Sequence, residues 1–199
     1  MGRPKEVTDA QIVVAARRCF LERGAAVSAV DIASELGVSH TTLFNRFGSK
    51  EALMIAALGP PAEVPWVVAL EAGPDDRPIR EQLIEHAKVM SAYFQDLQAG
   101  LGVLQAAGIT PGRIHRGRKG EPPPVQAFRA LTGWLQRAQR GGRLTKCDVD
   151  TLASTIIGAL HGWAFTARVC GHSTAPVAGE RYVEKFIGVL WNGIGGGNP

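Results

Sequence analysis

SAVDIASELGVSHTTLFNRFGSK, running from Ser28 to Lys50, has the spacing of two short helices joined by a tight turn. Ser28 followed by Asp31 has the S-x-x-D form of a capping box, so a helix is expected from about Ala29 with Ile32, Ala33 and Leu36 turned toward a core. Gly37 ends it, because glycine takes the positive φ that a turn between crossing helices needs, and Val38 fills the angle between them. Ser39 then caps a second helix, on which Leu43 and Phe47 lie four apart and face inward. His40, Thr41, Thr42, Phe44, Asn45 and Arg46 are left on its outer faces. Hydroxyls, an imidazole and a carboxamide can hydrogen-bond base edges or phosphates, and Lys50, opening the next helix, is placed for a phosphate. With Ser28 and Ser39 these residues make the candidate DNA-contacting set, a helix-turn-helix.

The run D-I-A-x-x-L-G-V-S-x-x-T-L-F-x-x-F-x-S-K-E-A-L within this stretch and just beyond it resembles the DNA-binding signature of the tetracycline-repressor (TetR) family of bacterial transcription regulators. The resemblance covers Thr8 to Leu58, about a quarter of the chain. It implies an all-α protein with an N-terminal three-helix head, a fourth helix linking that head to an effector domain, a short helix after it, and two final helices that form a four-helix interface in a homodimer. Phe44 stands where the family usually has Tyr, and Ala29 where Ser or Thr is common. Both departures imply fewer hydrogen bonds to phosphate.

Composition agrees with a globular reading. The 199 residues are 45% apolar, enough for a proper core. Apolar runs are interrupted well before the roughly 18 residues a membrane span needs. The start, MGRPKE, has no apolar signal region, so a cytoplasmic protein without a membrane partner is expected. Cys19, Cys147 and Cys170 are odd in number and far apart, and no Cys/His spacing suggests a metal site, so buried thiols are the default and redox sensing through Cys147 or Cys170 stays open. The net charge of +4 is uneven: residues 110–146 carry nine basic groups against one acidic, residues 1–50 only seven against five. The densest basic run, Arg113-Ile-His-Arg-Gly-Arg-Lys119, sits between Gly and Pro and reads as a solvated loop rather than a second DNA contact. Arg3, in the arm Gly2-Arg3-Pro4-Lys5, is either a minor-groove contact or part of a loose tail.

Beyond the head the chain continues to alternate helical periods with Gly and Pro stops. A first helix is expected from about Asp9 to Arg23, with Ile12, Ala16, Cys19 and Phe20 as its inner stripe and Gly24 as its end. A helix over 50–58 stops at Gly59-Pro60-Pro61, and the chain to Pro74 is too broken by Pro and Gly to assign. The domain boundary is therefore placed there: 1–50 as head, 51–58 as connector, 59–199 as effector-binding and dimerisation domain. A long helix capped by Asp75 or Asp76 carries Ile79, Leu83, Ala87, Met90, Phe94, Leu97 and Leu101 on one stripe, weakened at its far end by Gly100 and Gly102. A loop follows over Gly108–Pro124. Three more helices are expected: from near Pro124 to Gly141-Gly142, from Asp148 to about Val169, and from Glu180 to about Ile194 before a loose glycine tail.

Two constellations bear on function. The last two helices are apolar over more than one face, and Ile156, Leu160, Tyr182, Phe186, Leu190 and Trp191 are candidate dimer contacts that would set two heads on one palindromic operator. His86, Met90, Tyr93, Phe94, Phe128, Trp134, His161, Trp163, Phe165 and Arg168 mix aromatic, soft and polar groups as a small-molecule pocket does, although each alone reads equally as core. Arg168, if turned inward, would favour an anionic effector. No nucleophile elbow, P-loop, dinucleotide fingerprint or metal-binding histidine pair is present, so no enzyme, cofactor or metal is expected. The expectation is a DNA-binding regulator, a repressor released by a small-molecule effector; the alternatives are a helix-turn-helix protein without effector control, or an activator.

Overall fold

The computed structural model describes residues 7–61, 63–114, 116, 120–170 and 179–193. The expectations for Arg3 and its arm, for His115, Arg118 and Lys119 of the basic run, and for Ile194 and the glycine tail lie outside the described residues. Among those described the secondary structure is entirely helical: α1 (Asp9–Arg23), α2 (Ala29–Leu36), α3 (His40–Phe47), α4 (Lys50–Leu58), α5 (Val67–Glu71), α6 (Ile79–Ala106), α7 (Pro111–Ile114), α8 (Pro123–Arg140), α9 (Val149–Cys170) and α10 (Gly179–Asn192). None of these helices is long and apolar enough to cross a membrane.

The chain divides into two compact units, Met1–Pro61 with Leu97–Lys119, and Ala62–Asp96 with Gly120–Pro199. In the first, each of the four leading helices starts at a hydroxyl cap. Thr8 and Ser28 form capping boxes with Gln11 and Asp31, while Ser39 and Ser49 accept from the N–H groups of Thr42 and Ala52. Each such cap satisfies an otherwise orphaned amide at a helix start, a contribution of about 1 kcal/mol. Ile12, Ala16, Cys19 and Phe20 of α1 pack with Ile32 and Ala33 of α2, Leu43 of α3, and Leu53, Met54, Ala57 and Leu58 of α4. Leu104, Ile109 and Ile114 close the same core.

Gly100 and Gly102 do not end α6, which continues to Ala106. Glycine inside a helix costs about 1 kcal/mol relative to alanine, and at Gly100 the reason for bearing it is space. A β-carbon there would lie 2.3 Å from the carbonyl oxygen of Leu58 at the end of α4. The expected loop over 108–124 is likewise interrupted, by the short turn of α7.

The second unit packs Val64, Trp66 and Leu70 with Leu83, Met90 and Phe94 of α6, Leu131, Trp134 and Leu135 of α8, Ile156 and Leu160 of α9, and Val183 and Ile187 of α10. Helix α5, which has no side-chain cap, is held from α8 instead: Arg137 donates to the Leu70 carbonyl at 2.5 Å. The entry to α6 is fixed by buried Gln82, whose side chain accepts from the Asp75 N–H at 2.9 Å and donates to the Asp75 carbonyl at 3.1 Å.

Candidate nucleic-acid interface

The outer face of α3 is built by what lies beneath it. Gly37 adopts φ 68° in the left-handed region, and its amide donates back to Ala33 and Ser34, so α2 stops and the chain turns within two residues. Ser39 then starts α3, its hydroxyl accepting from the Thr42 amide at 3.2 Å and sharing a 2.9 Å hydrogen bond with the Thr42 hydroxyl. Leu43 anchors the helix, 1% exposed. One turn apart on the outside, the rings of His40 and Phe44 meet edge to face at 6.3 Å. His40, Thr41, Phe44 and Asn45 are exposed. No side-chain hydrogen bond holds His40, Thr41 or Asn45 to another described residue, so their donors and acceptors face outward uncommitted.

The cations of the set are differently disposed. Arg46 donates to the Val7 carbonyl and pairs with Asp9 at 3.0 Å, tying the end of α3 to the start of α1. The Lys50 ammonium donates to the Ala25 carbonyl at 2.7 Å, which joins the start of α4 to the loop before α2. Ser28 is likewise engaged, its hydroxyl donating to Asp31 at 2.7 Å, and this hydrogen bond holds the Asp31 carboxyl below its usual range. The surface therefore presents three free polar side chains on α3, flanked by two basic groups whose first hydrogen bond is spent on positioning.

Sequence reading missed a further set of supports. Glu35 of α2 bridges Arg18 at 2.7 Å and Arg23 at 2.5 Å, and the Arg18 guanidinium holds its carboxyl below the ordinary value. Arg17 donates to the Ala57 carbonyl at 2.9 Å, and Arg113 pairs with Glu51 at 2.8 Å. These pairs span 12 to 62 positions of sequence, and no local spacing announces them.

The ten small-molecule candidates divide. His86, Met90, Phe94 and Trp134 meet in the core of the second unit, with His86 edge-on to Trp134 at 5.3 Å and Tyr93 edge-on to both Trp66 and Phe94. Burial pushes the His86 imidazole below its usual pKa, so it is neutral there at pH 7. Phe128 lies half-buried against the same core. His161 and Phe165 are exposed on α9, although the His161 ring reaches Phe94 at 5.4 Å, and Arg168 lies over Phe165 at 5.4 Å rather than turning inward. Trp163 belongs with α10, stacked on Tyr182 at 5.6 Å, while Tyr182 lies parallel to Phe186.

Of the dimer candidates, Ile156 and Leu160 are fully buried within the unit, Tyr182, Phe186 and Leu190 are half-buried, and Trp191 is 41% exposed. The same two helices also expose Phe165, Val169 and Val189, at 47%, 61% and 52%. Among the described residues, five buried donors of this unit have no hydrogen-bond partner: the indole N–H groups of Trp66, Trp134 and Trp163, the hydroxyl of Thr132 and the Nε of Arg137. No cluster of described residues could hold a metal ion.

Residues 12–57 match the family described as bacterial regulatory proteins, tetR family. Over 188 residues the chain is 28% identical to the HTH-type transcriptional repressor BdcR of Escherichia coli strain K12, covering 90% of this chain and 91% of that one. Its fold is similar to that of the TetR transcriptional regulator SCO0520 from Streptomyces coelicolor, with a TM-score of 0.63 and 24% identity over 92% of this chain and 98% of the other. It is also similar to SmeT, solved in complex with triclosan, with a TM-score of 0.62 and 18% identity over 90% and 88% of the two chains.

Proposed function

We propose, from the premise that this chain is a DNA-binding regulator of the tetR family, that it is a cytoplasmic repressor. It binds a palindromic operator as a homodimer and is released by a small molecule taken up in the second unit. The observation that carries the DNA half of this reading is the outer face of α3, where His40, Thr41 and Asn45 stand exposed and uncommitted on a helix fixed from below by Leu43 and Ser39. A recognition helix reads base edges in the major groove, and Arg46 and Lys50 at its far end and just beyond it retain further N–H donors for phosphate. The repressor role is supported by the likeness to BdcR over nine-tenths of both chains.

Dimerisation is supported by the apolar residues that α9 and α10 leave uncovered, Phe165, Val169, Val189 and Trp191, since apolar surface of this kind is buried in symmetric assemblies. A twofold dimer would set its two α3 helices about 34–36 Å apart, one turn of DNA. Effector binding is supported by the unpartnered donors of the second unit, Trp66, Trp134 and Thr132 of its core among them, because buried polar groups nearly always have a partner and a ligand with acceptor oxygens would supply one. The complex of SmeT with triclosan offers a parallel in a protein of the same fold.

Release requires only that the effector bind better to a dimer with wrongly spaced heads. A difference of about 1–3 kcal/mol gives roughly 5–150-fold coupling. Helix α4 is the lever of this reading, since it follows α3 directly. The test is selection of bound duplexes from random DNA, followed by sedimentation of the complex. A palindromic site carrying a dimer supports the proposal, and a monomer on an asymmetric site sinks it.

A further inference from the structure

The backbone of Leu58 at the C-terminus of α4 lies against Gly100 on α6. A β-carbon at Gly100 would lie 2.3 Å from the Leu58 carbonyl oxygen, 3.1 Å from its carbon and 3.3 Å from the Leu58 Cα. All three atoms are backbone, so no side-chain rotation relieves the approach. The groups within reach of α4 form a cradle. Arg17 of α1 holds the neighbouring Ala57 carbonyl at 2.9 Å. Gly59, next in the chain, turns its amide back to Ile55 and leaves room for Ile114 of α7, whose Cγ2 would be 3.5 Å from a β-carbon there. Toward its other end α4 is paired through Glu51 to Arg113 at 2.8 Å.

Resting on the reading of the chain as a dimer on a palindrome, we propose that Gly100 is a specificity-determining residue: by fixing where α4 rests on α6, it sets the separation of half-sites that the dimer accepts. Helix α6 is continuous from Ile79 to Ala106, and α4 follows the recognition helix after only Gly48 and Ser49. The missing side chain at Gly100 lets the two backbones meet. Any β-carbon must push α4 away by about 1 Å to restore an ordinary carbon–oxygen contact of about 3.3 Å. A shift at the end of α4 is carried through Ser49 and Gly48 to α3, while the contacts that shape the outer face of α3, the Ser39 cap and the Leu43 anchor, lie away from Gly100, so each head still reads its own bases while the span between heads changes.

The test compares the parent with Gly100→Ala on duplexes the parent has selected: a single half-site, and palindromes whose spacing varies in single base-pair steps. The variant is expected to bind the half-site as the parent does. It should bind the parent's preferred palindrome about tenfold more weakly, with its optimum moved by about one base pair. An unchanged optimum and affinity overturn the proposal. If Gly100→Ala does not melt cooperatively as a dimer, Arg17→Met removes the opposite hold on α4 without adding an atom to the contact. That variant should flatten the spacing preference at constant half-site affinity, and a preference as sharp as the parent's overturns the proposal equally. A parent that binds half-sites yet favours no palindrome would instead remove the dimeric operator reading on which the proposal rests.

Discussion

The two units differ in how they treat polar groups. In the first, the hydroxyls that start α1 to α4 accept from the chain they cap, Glu35 is paired twice, and the guanidiniums of Arg17 and Arg46 are met by carbonyls. In the second, the indoles of Trp66 and Trp134 and the hydroxyl of Thr132 are buried among described residues that offer them nothing. A surface that must match a DNA groove gains from being complete before it binds. On the proposed reading the second unit takes up a small molecule, and such a unit gains from being incomplete, since an unmet group gives a ligand something to add.

The largest effect that would break this contrast lies on the uncovered face of α10. Val189→Asp together with Trp191→Asp should yield a monomer in sedimentation and weaken operator binding by at least about a hundredfold, because one head keeps only its own half-site. A dimer of unchanged affinity would mean that these residues cover nothing. Next come the contacts at DNA. Thr41→Ala or His40→Ala should change the preferred base at one position by about 1–3 kcal/mol. Lys50→Ala should weaken binding to all duplexes alike and flatten the salt slope by about 0.9. If the lysine variant changes sequence preference instead, its link to Ala25 is orienting the reading helix and not only bracing it.

A sharper comparison comes from deleting one hydroxyl in each unit. Ser39→Ala should destabilise the first unit by about 1 kcal/mol, since it removes the side-chain cap of α3. Thr132→Val, which removes a donor that has no partner, should stabilise the second by up to about 1 kcal/mol and lower its response to effector. Thermal melts of the two variants should therefore move in opposite directions, and parallel losses would show that Thr132 is satisfied in solution. The smallest effect is in pH. The His86 imidazole titrates lower when folded than its unfolded value of about 6.5, so its neutral form contributes stability that is present above that value and lost as pH falls below it. Asp31 and Glu35 are also depressed, so their contribution is present above the carboxylate range and disappears only in acid. Between pH 7.5 and 5.5, roughly one unit on either side of the histidine value, melting of the second unit should decline while that of the first holds, and His86→Gln should remove the decline.

What could be read from sequence was whatever is encoded locally. The cap Ser28 with Asp31, the stop at Gly37 and the inward pair Leu43 and Phe47 are relations within four residues, and α2 and α3 fall where those signals put them. Gly100 reads locally as a weak point in a helix, and only the Leu58 carbonyl, 42 positions away, explains it. That Arg46 and Lys50 also brace the head was not legible, because their carbonyl partners, Val7 and Ala25, carry no side-chain signature. The aromatic set read from α9 divides between faces for the same reason: helical periodicity groups residues by angle but does not say which neighbour each face will meet, so Trp163 turns to α10 and Phe165 to the outside.

The division into two units also fixes what light can report. All four tryptophans, Trp66, Trp134, Trp163 and Trp191, and both tyrosines, Tyr93 and Tyr182, belong to the second unit, and the first has only phenylalanine as a benzenoid chromophore. Excited at tryptophan wavelengths, the head is dark. Emission follows the second unit alone, and the parallel stack of Trp163, Tyr182 and Phe186 makes the near-ultraviolet dichroism a monitor of how α10 docks on α9. Far-ultraviolet dichroism counts helices in both units. A melt followed at both wavelengths thus separates the first unit from the second without a label, and a single new tryptophan in place of exposed Phe44 would bring the proposed DNA-reading surface into view by itself.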